Sequence, residues 1–254
     1  MSAIVTGSDS GIGRATAVAL AAAGHDVGVT YHSDEEGAGA TAREAESHGL
    51  RAVVRRLDTR DFDEARRVTA ELIEELGGVD VLVNNAGTGH QTPFLELELD
   101  EWSRVVDTDL TGAFVVAQEC ARRMVSQGRG GRIVNVTSVH EHVPLRGSSA
   151  YCAAKGGLGL LTKVMALELA EQRITVNAVA PGEIATPMTG QGDDPPDEGS
   201  RPGVPLGRPG DAREVASAIA WLCSEGASYA TGASYVVDGG MLLMAAMANQ
   251  LALP

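Results

Sequence analysis

Short runs of consecutive apolar, mostly β-branched positions recur along the chain, separated by longer stretches in which apolar residues return at helical spacing. The runs at 3–6, 27–31, 52–57, 81–84, 132–137, 175–180 and 234–237 predict seven strands. The stretches at 11–23, 35–48, 61–76, 100–127, 150–171 and 211–224 predict helices, with Gly24, Gly49 and Gly77 where C-terminal caps are expected. Strands that are apolar on successive positions need cover on both faces, and helices between consecutive strands supply it as parallel crossovers. The expected architecture is α/β: a doubly wound sandwich with a seven-stranded parallel sheet. No repeat or linker divides residues 1–254, so one domain is expected. The stretch 190–208 breaks the pattern, because its four prolines, five glycines and six charged residues outweigh any period. A loop of that length reads as a substrate lid, at about 188–208. The apolar terminus 241–254 reads as a tail packed on a neighbour.

Composition narrows the class. An apolar fraction of 44% supports a large core, and an aromatic share of only 4% leaves Ala, Val, Leu and Ile to fill it. The net charge of −14 opposes binding to nucleic acid or to an anionic membrane. Cys120, Cys152 and Cys223 are odd in number and far apart, which suits neither a disulfide framework nor a metal site and points to a reducing, cytoplasmic setting. No signal peptide and no apolar run long enough to span a membrane is evident, so neither secretion nor membrane insertion is expected.

Directly after the first strand stands Thr6-Gly7-Ser8-Asp9-Ser10-Gly11-Ile12-Gly13, with helix formers behind it. A strand, a glycine turn and a helix in that order make a diphosphate site, because main-chain N–H groups and the positive helix end face the anion and bare Cα atoms allow close approach. Gly7, Asp9, Ser10, Gly11, Ile12 and Gly13 are therefore candidate cofactor residues in a Rossmann-type arrangement. At the end of the second strand, an acid would bond ribose hydroxyls and repel a 2′-phosphate. Tyr31, His32 and Ser33 stand there instead, which favours NADP(H), with NAD(H) as the alternative because Asp9, Asp34, Glu35 and Glu36 lie close and Arg14 is the one nearby cation.

Tyr151 and Lys155 lie four residues apart on one predicted helix face, where an ammonium can stabilise the phenolate and make a phenol usable near neutral pH. Ser138 ends the fifth strand, at the sheet edge where such folds bind ligands, and offers a hydroxyl to a substrate oxygen. Taken with the glycine turn, Asn84-Asn85-Ala86-Gly87 after the fourth strand and Pro181-Gly182 after the sixth, these residues make the chain resemble the short-chain dehydrogenase/reductase family over nearly its whole length.

That resemblance implies hydride transfer between a nicotinamide and a carbinol carbon. It makes Tyr151 the general acid in ketone reduction, Ser138 the group that positions the carbonyl, and Lys155 the residue that tunes Tyr151 and bonds the nicotinamide ribose. Asn85, Ala86 and Gly87 would line the cofactor, Asp58 would contact the adenine, and Pro181, Gly182, Ile184 and Thr186 would border the carboxamide end. Plain alternatives remain: Asn85 as a turn cap and Asp58 as a helix cap. One position departs from the pattern, since Asp109 stands where the family usually carries an Asn that orders a water leading from the lysine. Asp109 is read either as part of a proton relay or as a structural group, and an ionised carboxylate there would compete for the charge of Lys155.

Around the cleft, His90, His140, His142 and Glu183 are candidate substrate contacts, with solvated surface histidines as the alternative. A metal site is not expected, because His140 and His142 lack ligand spacing and hydride transfer needs no Lewis acid. The leading expectation is an NADP(H)-dependent carbonyl reductase or alcohol dehydrogenase for a small polar carbonyl compound. It is similar to bacterial acetoin-dehydrogenase-like, glucose-dehydrogenase-like and 3-oxoacyl-carrier-protein reductase-like members. A 3-oxoacyl thioester reductase is the second reading; it needs a cationic docking patch, for which Arg122, Arg123, Arg129 and Arg132 are candidates. A non-catalytic dinucleotide-sensing scaffold is the third. The family resemblance also implies a homotetramer.

Overall fold

In a computed structural model that describes residues 1–190 and 201–244, the first half of the chain alternates strand and helix. It runs β1 (Ser2–Val5), α1 (Gly11–Ala22), β2 (Asp26–Tyr31), α2 (Glu35–Glu46), β3 (Ala52–Arg56), α3 (Phe62–Leu76) and β4 (Val81–Asn84). Then follow α4 (Leu99–Val106), α5 (Gly112–Gln127), β5 (Gly131–Val136), α6 (Ser149–Leu169) and β6 (Ile174–Pro181). The chain continues through β7 (Ile184–Ala185), β8 (Gly210–Asp211), α7 (Ala212–Leu222) and β9 (Ser234–Val237). Seven parallel strands form one sheet in the order β3-β2-β1-β4-β5-β6-β9, as the apolar runs predict.

Alternation along each strand divides the core. Ala3 and Val5 of β1 face α1, α2 and α7, where Leu20, Ala38, Ala45, Val215 and Ile219 pack. Ile4 faces the other way, onto Leu72 of α3 and Cys120 and Met124 of α5. Because the strand order reverses between β1 and β4, the two chains leaving their carboxyl ends diverge and open a crevice.

Three features differ from the expected pattern. The single helix expected over 100–127 is two helices joined by a π-helical segment, Asp107–Thr111. That segment adds one residue to the winding and turns Asp109 fully inward, a displacement that averaged hydrophobic periodicity does not register. Gly112 permits the turn, because a Cβ there would meet the Thr59 carbonyl oxygen at 2.5 Å. Second, β7 and β8 form a small separate pair too short to leave a periodic signal. Third, only the borders of the 188–208 loop lie within the described residues: a 3-10 turn at Pro187–Thr189, and 201–208, anchored where Arg208 binds both carboxylate oxygens of Glu214 on α7. Most of the 241–254 tail lies outside them. Among the described residues all three cysteines are free, and no helix is long and apolar enough to cross a membrane.

Candidate active site

The turn between β1 and α1 is held open from three sides. Thr30 of β2 accepts the Gly7 N–H at its hydroxyl, 3.1 Å, and the Ser8 N–H at its carbonyl, 2.8 Å. Thr6 Oγ1 accepts from the backbone of Asn85 and Ala86 at 2.9 and 3.0 Å, and the Asn85 amide donates back to the carbonyls of Thr6 and Gly7 at 3.0 and 2.7 Å. Asn85 is thus a clasp on the glycine turn. A Cβ at Gly13 would lie 2.1 Å from the Gly7 oxygen and 2.5 Å from Asn85 Nδ2, so no other residue fits. At the N-cap of α1, Ser10 makes no side-chain cap bond, and the first turn of the helix borders the crevice through Gly11 and Ile12.

On the other side of the crevice, α6 is pinned to the sheet by a buried amide chain. Asn84 Nδ2 donates to Asn135 Oδ1 at 2.9 Å, and Asn135 Nδ2 to Thr162 Oγ1 at 2.8 Å. The helix presents Tyr151 and Lys155 on one face, with the Lys155 ammonium 5.6 Å from the Tyr151 ring centroid. Lys155 Nζ also donates to the Val136 carbonyl at 3.1 Å and contacts Asp109 Oδ2 at 3.2 Å. Asp109 is 0% exposed; its other oxygen accepts the Thr88 N–H at 2.8 Å. Burial pushes the Asp109 carboxyl above its ordinary range, against the pull of Lys155. Burial also works against the Lys155 ammonium, but Asp109 and then Tyr151 outweigh it, so the lysine titrates above its ordinary value. Gly87 lets the backbone run beside this pair, since a Cβ there would stand 3.1 Å from Asp109 and 3.3 Å from Lys155. Ser138 sits buried just past the end of β5, its hydroxyl accepting from the His140 N–H at 3.1 Å.

A glycine turn at the switch point, together with a tyrosine and a buried lysine on the helix after β5, matches proteins of known family. The family model described as enoyl-(acyl carrier protein) reductase covers residues 7–242. The chain is 54% identical to an acetoin dehydrogenase of Salmonella typhimurium whose crystal structure superposes with a TM-score of 0.91, covering 95% of this chain and 96% of that one. An acetoin dehydrogenase structure from Enterobacter cloacae is 55% identical, with a TM-score of 0.91 and 95% coverage of both chains. A 3-oxoacyl-[acyl-carrier-protein] reductase of Synechocystis is 40% identical over 242 residues, 95% of this chain and 96% of that protein. The chain belongs to the short-chain dehydrogenase/reductase family.

Enzymes of this family use a nicotinamide dinucleotide, and the crevice fits one. Its cavity of about 430 Å³ is lined by Gly7, Asp9, Ser10, Gly11 and Ile12 of the turn, by Tyr31, His32, Ser33 and Asp58, and by Asn85, Ala86, Gly87 and Thr186. Gly13, Pro181, Gly182, Ile184, Tyr151 and Lys155 do not line this part of the crevice. Gly13 acts from beneath, through its closeness to the Gly7 carbonyl.

At the far end the structure adds residues that the sequence reading lacks. Arg60 forks onto Asp58 at 3.0 and 2.8 Å, and His32 Nε2 lies 3.3 Å from the same carboxylate. The hydrogen bonds from Arg60 hold the Asp58 carboxyl far below the ordinary carboxylate range, with His32 contributing least. Arg14, expected to be the cation of this region, is instead bound to Glu44 of α2 and does not line the cavity; Arg60 and Arg104 do. The signal for Arg60 was adjacency: it follows Asp58 by two residues at the carboxyl end of β3. Arg104 also braces the loop after β4, donating to Thr88 Oγ1 at 2.7 Å and the Gly89 carbonyl at 3.1 Å.

The four expected pocket contacts separate. His140 stacks edge-on to Tyr151, ring centroids 6.3 Å apart, and its Nδ1 bonds the Val143 carbonyl at 3.1 Å, which fixes the proton on Nδ1. His142 pairs at 2.9 Å with Glu141, whose side chain is 5% exposed against 40% for the histidine. His90 accepts the Ala150 N–H at Nε2, 3.2 Å, and thereby caps the first turn of α6, next to Tyr151. Glu183 is bound by Arg201 at 2.9 Å, across the mouth of the 188–208 loop. Among the described residues, no three His, Cys, Asp or Glu gather in a metal-binding group.

Proposed function

We propose that the protein is an NADP(H)-dependent carbonyl reductase or alcohol dehydrogenase acting on a small polar ketone, hydroxyketone or diketone. The observation that carries the reading is the Tyr151 ring held beside the buried Lys155 ammonium, which in turn lies against Gly87 on the wall of the crevice. A nicotinamide dinucleotide held by the glycine turn and by Asn85, Ala86 and Gly87 would supply hydride to the carbonyl carbon, or accept it in reverse. Tyr151 donates its phenolic proton to the carbonyl oxygen, and Ser138 steadies the same oxygen with its hydroxyl. Lys155 lowers the cost of the phenolate left on Tyr151 and anchors the nicotinamide ribose. Asp109 acts on this set through Lys155.

The absence of an acid at Tyr31-His32-Ser33, together with His32 and Arg60 on the cavity wall, supports NADP(H) over NAD(H). Two acetoin dehydrogenases at 54% and 55% identity, and a half-buried imidazole against Tyr151, support a small substrate with a second polar group. The Synechocystis relative favours a second reading, reduction of a 3-oxoacyl thioester on a carrier protein. The arginines needed for docking weigh against it. Arg129 is bound to Asp80 and Arg132 to Glu225, both at the amino edge of the sheet, opposite the crevice, and Arg122 faces Glu119.

The test is oxidation of NADPH and NADH, followed by nicotinamide absorbance, with diacetyl, acetoin, sugars and acetoacetyl thioesters as substrates. We expect at least about tenfold higher kcat/KM with NADPH, and turnover of diacetyl or acetoin above that of the thioester. A preference for NADH or for the thioester would replace the corresponding half of the reading. We also read the exposed Leu160, Val164 and Leu167 on α6, with Phe114 on α5, as subunit contacts of a homotetramer. Light scattering at micromolar concentration should give four times the chain mass; a monomeric mass overturns that reading.

A further inference from the structure

Lys155 has one positive charge and two claimants. Tyr151 lies one turn away on the same helix, and the Asp109 carboxylate lies 3.2 Å from Nζ, wholly buried and held by the Thr88 N–H. The position is one where the family pattern has an amide, which matches a carboxylate in shape and carries no charge. An Asn would keep the Thr88 hydrogen bond and leave the ammonium wholly to Tyr151. Asp109 reaches Lys155 because the π-helical segment turns it inward and Gly87 lets the loop after β4 pass close.

We propose that Asp109 is a positioning residue that draws part of the Lys155 charge away from Tyr151, so that Tyr151 keeps its proton to higher pH and the site is set for carbonyl reduction rather than alcohol oxidation. This rests on the proton-donor role proposed for Tyr151. The groups facing the pair act in the same sense or are committed elsewhere. Glu141, in the turn after β5, adds a second buried carboxylate whose field reaches Lys155. Arg104 of α4 bonds Thr88 and Gly89, and its charge, which reaches Asp109, favours the ionised carboxylate. On the remaining sides, His140 presents its ring to Tyr151 with Nδ1 bound to Val143, and His90 is turned to the Ala150 N–H.

The sign follows directly. Reduction needs the phenol and fails once it ionises; oxidation needs the phenolate and rises through the same pH. Removing the Asp109 charge makes the phenolate easier to form, so both limbs move to lower pH together. In Asp109→Asn, the midpoint at which kcat/KM for alcohol oxidation rises should shift acid by about one unit, and the fall of the reductive rate by the same amount. A second readout needs no turnover. In the cofactor-free protein, the tyrosinate absorbance lost between Asp109→Asn and the Asp109→Asn/Tyr151→Phe double variant should appear at lower pH than that lost between the wild type and Tyr151→Phe.

Unmoved midpoints, or a basic shift, in both measurements overturn the proposal and leave Asp109 a structural residue. Should Asp109→Asn fail to fold, Asp109→Ser removes the same charge and carries the same expectation. The proton-donor role is judged separately: a Tyr151→Phe variant with wild-type turnover sinks that role, whereas an inactive Tyr151→Phe with immobile Asp109→Asn profiles sinks only the present inference.

Discussion

Tyr151→Phe is expected to lower kcat/KM for carbonyl reduction by about 10³-fold while leaving dinucleotide affinity within about twofold of the wild type. A thousandfold loss corresponds to about 4 kcal/mol of transition-state stabilisation, the scale of a lost proton transfer rather than of a lost packing contact. The substitution removes one oxygen and little else. The phenyl ring retains the edge-on contact with His140, Lys155 keeps its bonds to Val136 and Asp109, and α6 keeps its tie to β5 through Asn135 and Thr162. Steady-state kinetics beside a fluorescence titration of NADPH separate the two effects. Residual activity within about tenfold of the wild type would mean that another group delivers the proton.

Lys155→Met is expected to cost both activity and stability, and its stability loss should depend on pH. The side chain is of similar length, so packing is largely kept, but a carboxylate that is 0% exposed loses its cation and retains only the Thr88 N–H. Breaking a buried pair from one side typically costs about 3–5 kcal/mol, because the remaining charge is stranded. Asp109 escapes by taking up a proton. Burial already raises its titration above that of an unfolded aspartate, and loss of Lys155 raises it further. For a carboxyl whose folded value lies above its unfolded one, the folded state is favoured as pH falls and loses ground as pH rises. Denaturant midpoints of Lys155→Met should therefore trail the wild type most at alkaline pH and approach it in mild acid. Lys155→Met/Asp109→Asn, with no charge left to strand, should recover most of the difference without recovering turnover. A pH-independent loss, or no rescue in the double variant, would show that the pair is not coupled as its geometry implies.

The sheet and the placement of side chains on its carboxyl edge were legible because both depend on signals a few residues long. Apolar runs such as Val81–Asn84 mark buried parallel strands, and Gly7, Gly11 and Gly13 announce a turn whose tolerances only glycine meets. Tyr151 and Lys155 are four apart on one helix, so their meeting follows from helical geometry. What the sequence withheld depends on contacts between distant segments. Arg14 follows the glycine turn and Arg60 follows β3; only the partners, Glu44 for one and Asp58 for the other, decide which reaches the cavity. His140 and His142 differ by two residues in a 3-10 turn, and that spacing sends one ring to Tyr151 and the other to Glu141. The arginines considered for carrier docking looked contiguous along the chain, yet β5 begins at the edge of the sheet remote from the crevice and takes Arg132 there.

The wide turn at Asp107–Thr111 also works as a phase absorber. One surplus residue wound into a regular helix would rotate the following segment by about 100°, and the wider winding takes that rotation up locally. The stripe of Val116, Cys120 and Met124 that α5 lays on the sheet therefore faces inward in spite of the surplus. Excising a single residue from this stretch would wind the two helices into one smooth rod with that stripe still inward, and would take from Asp109 the displacement that brings it to Lys155. A gap of one position here, in a homologous chain, is thus a local loss at the lysine and not a twist of the whole rod.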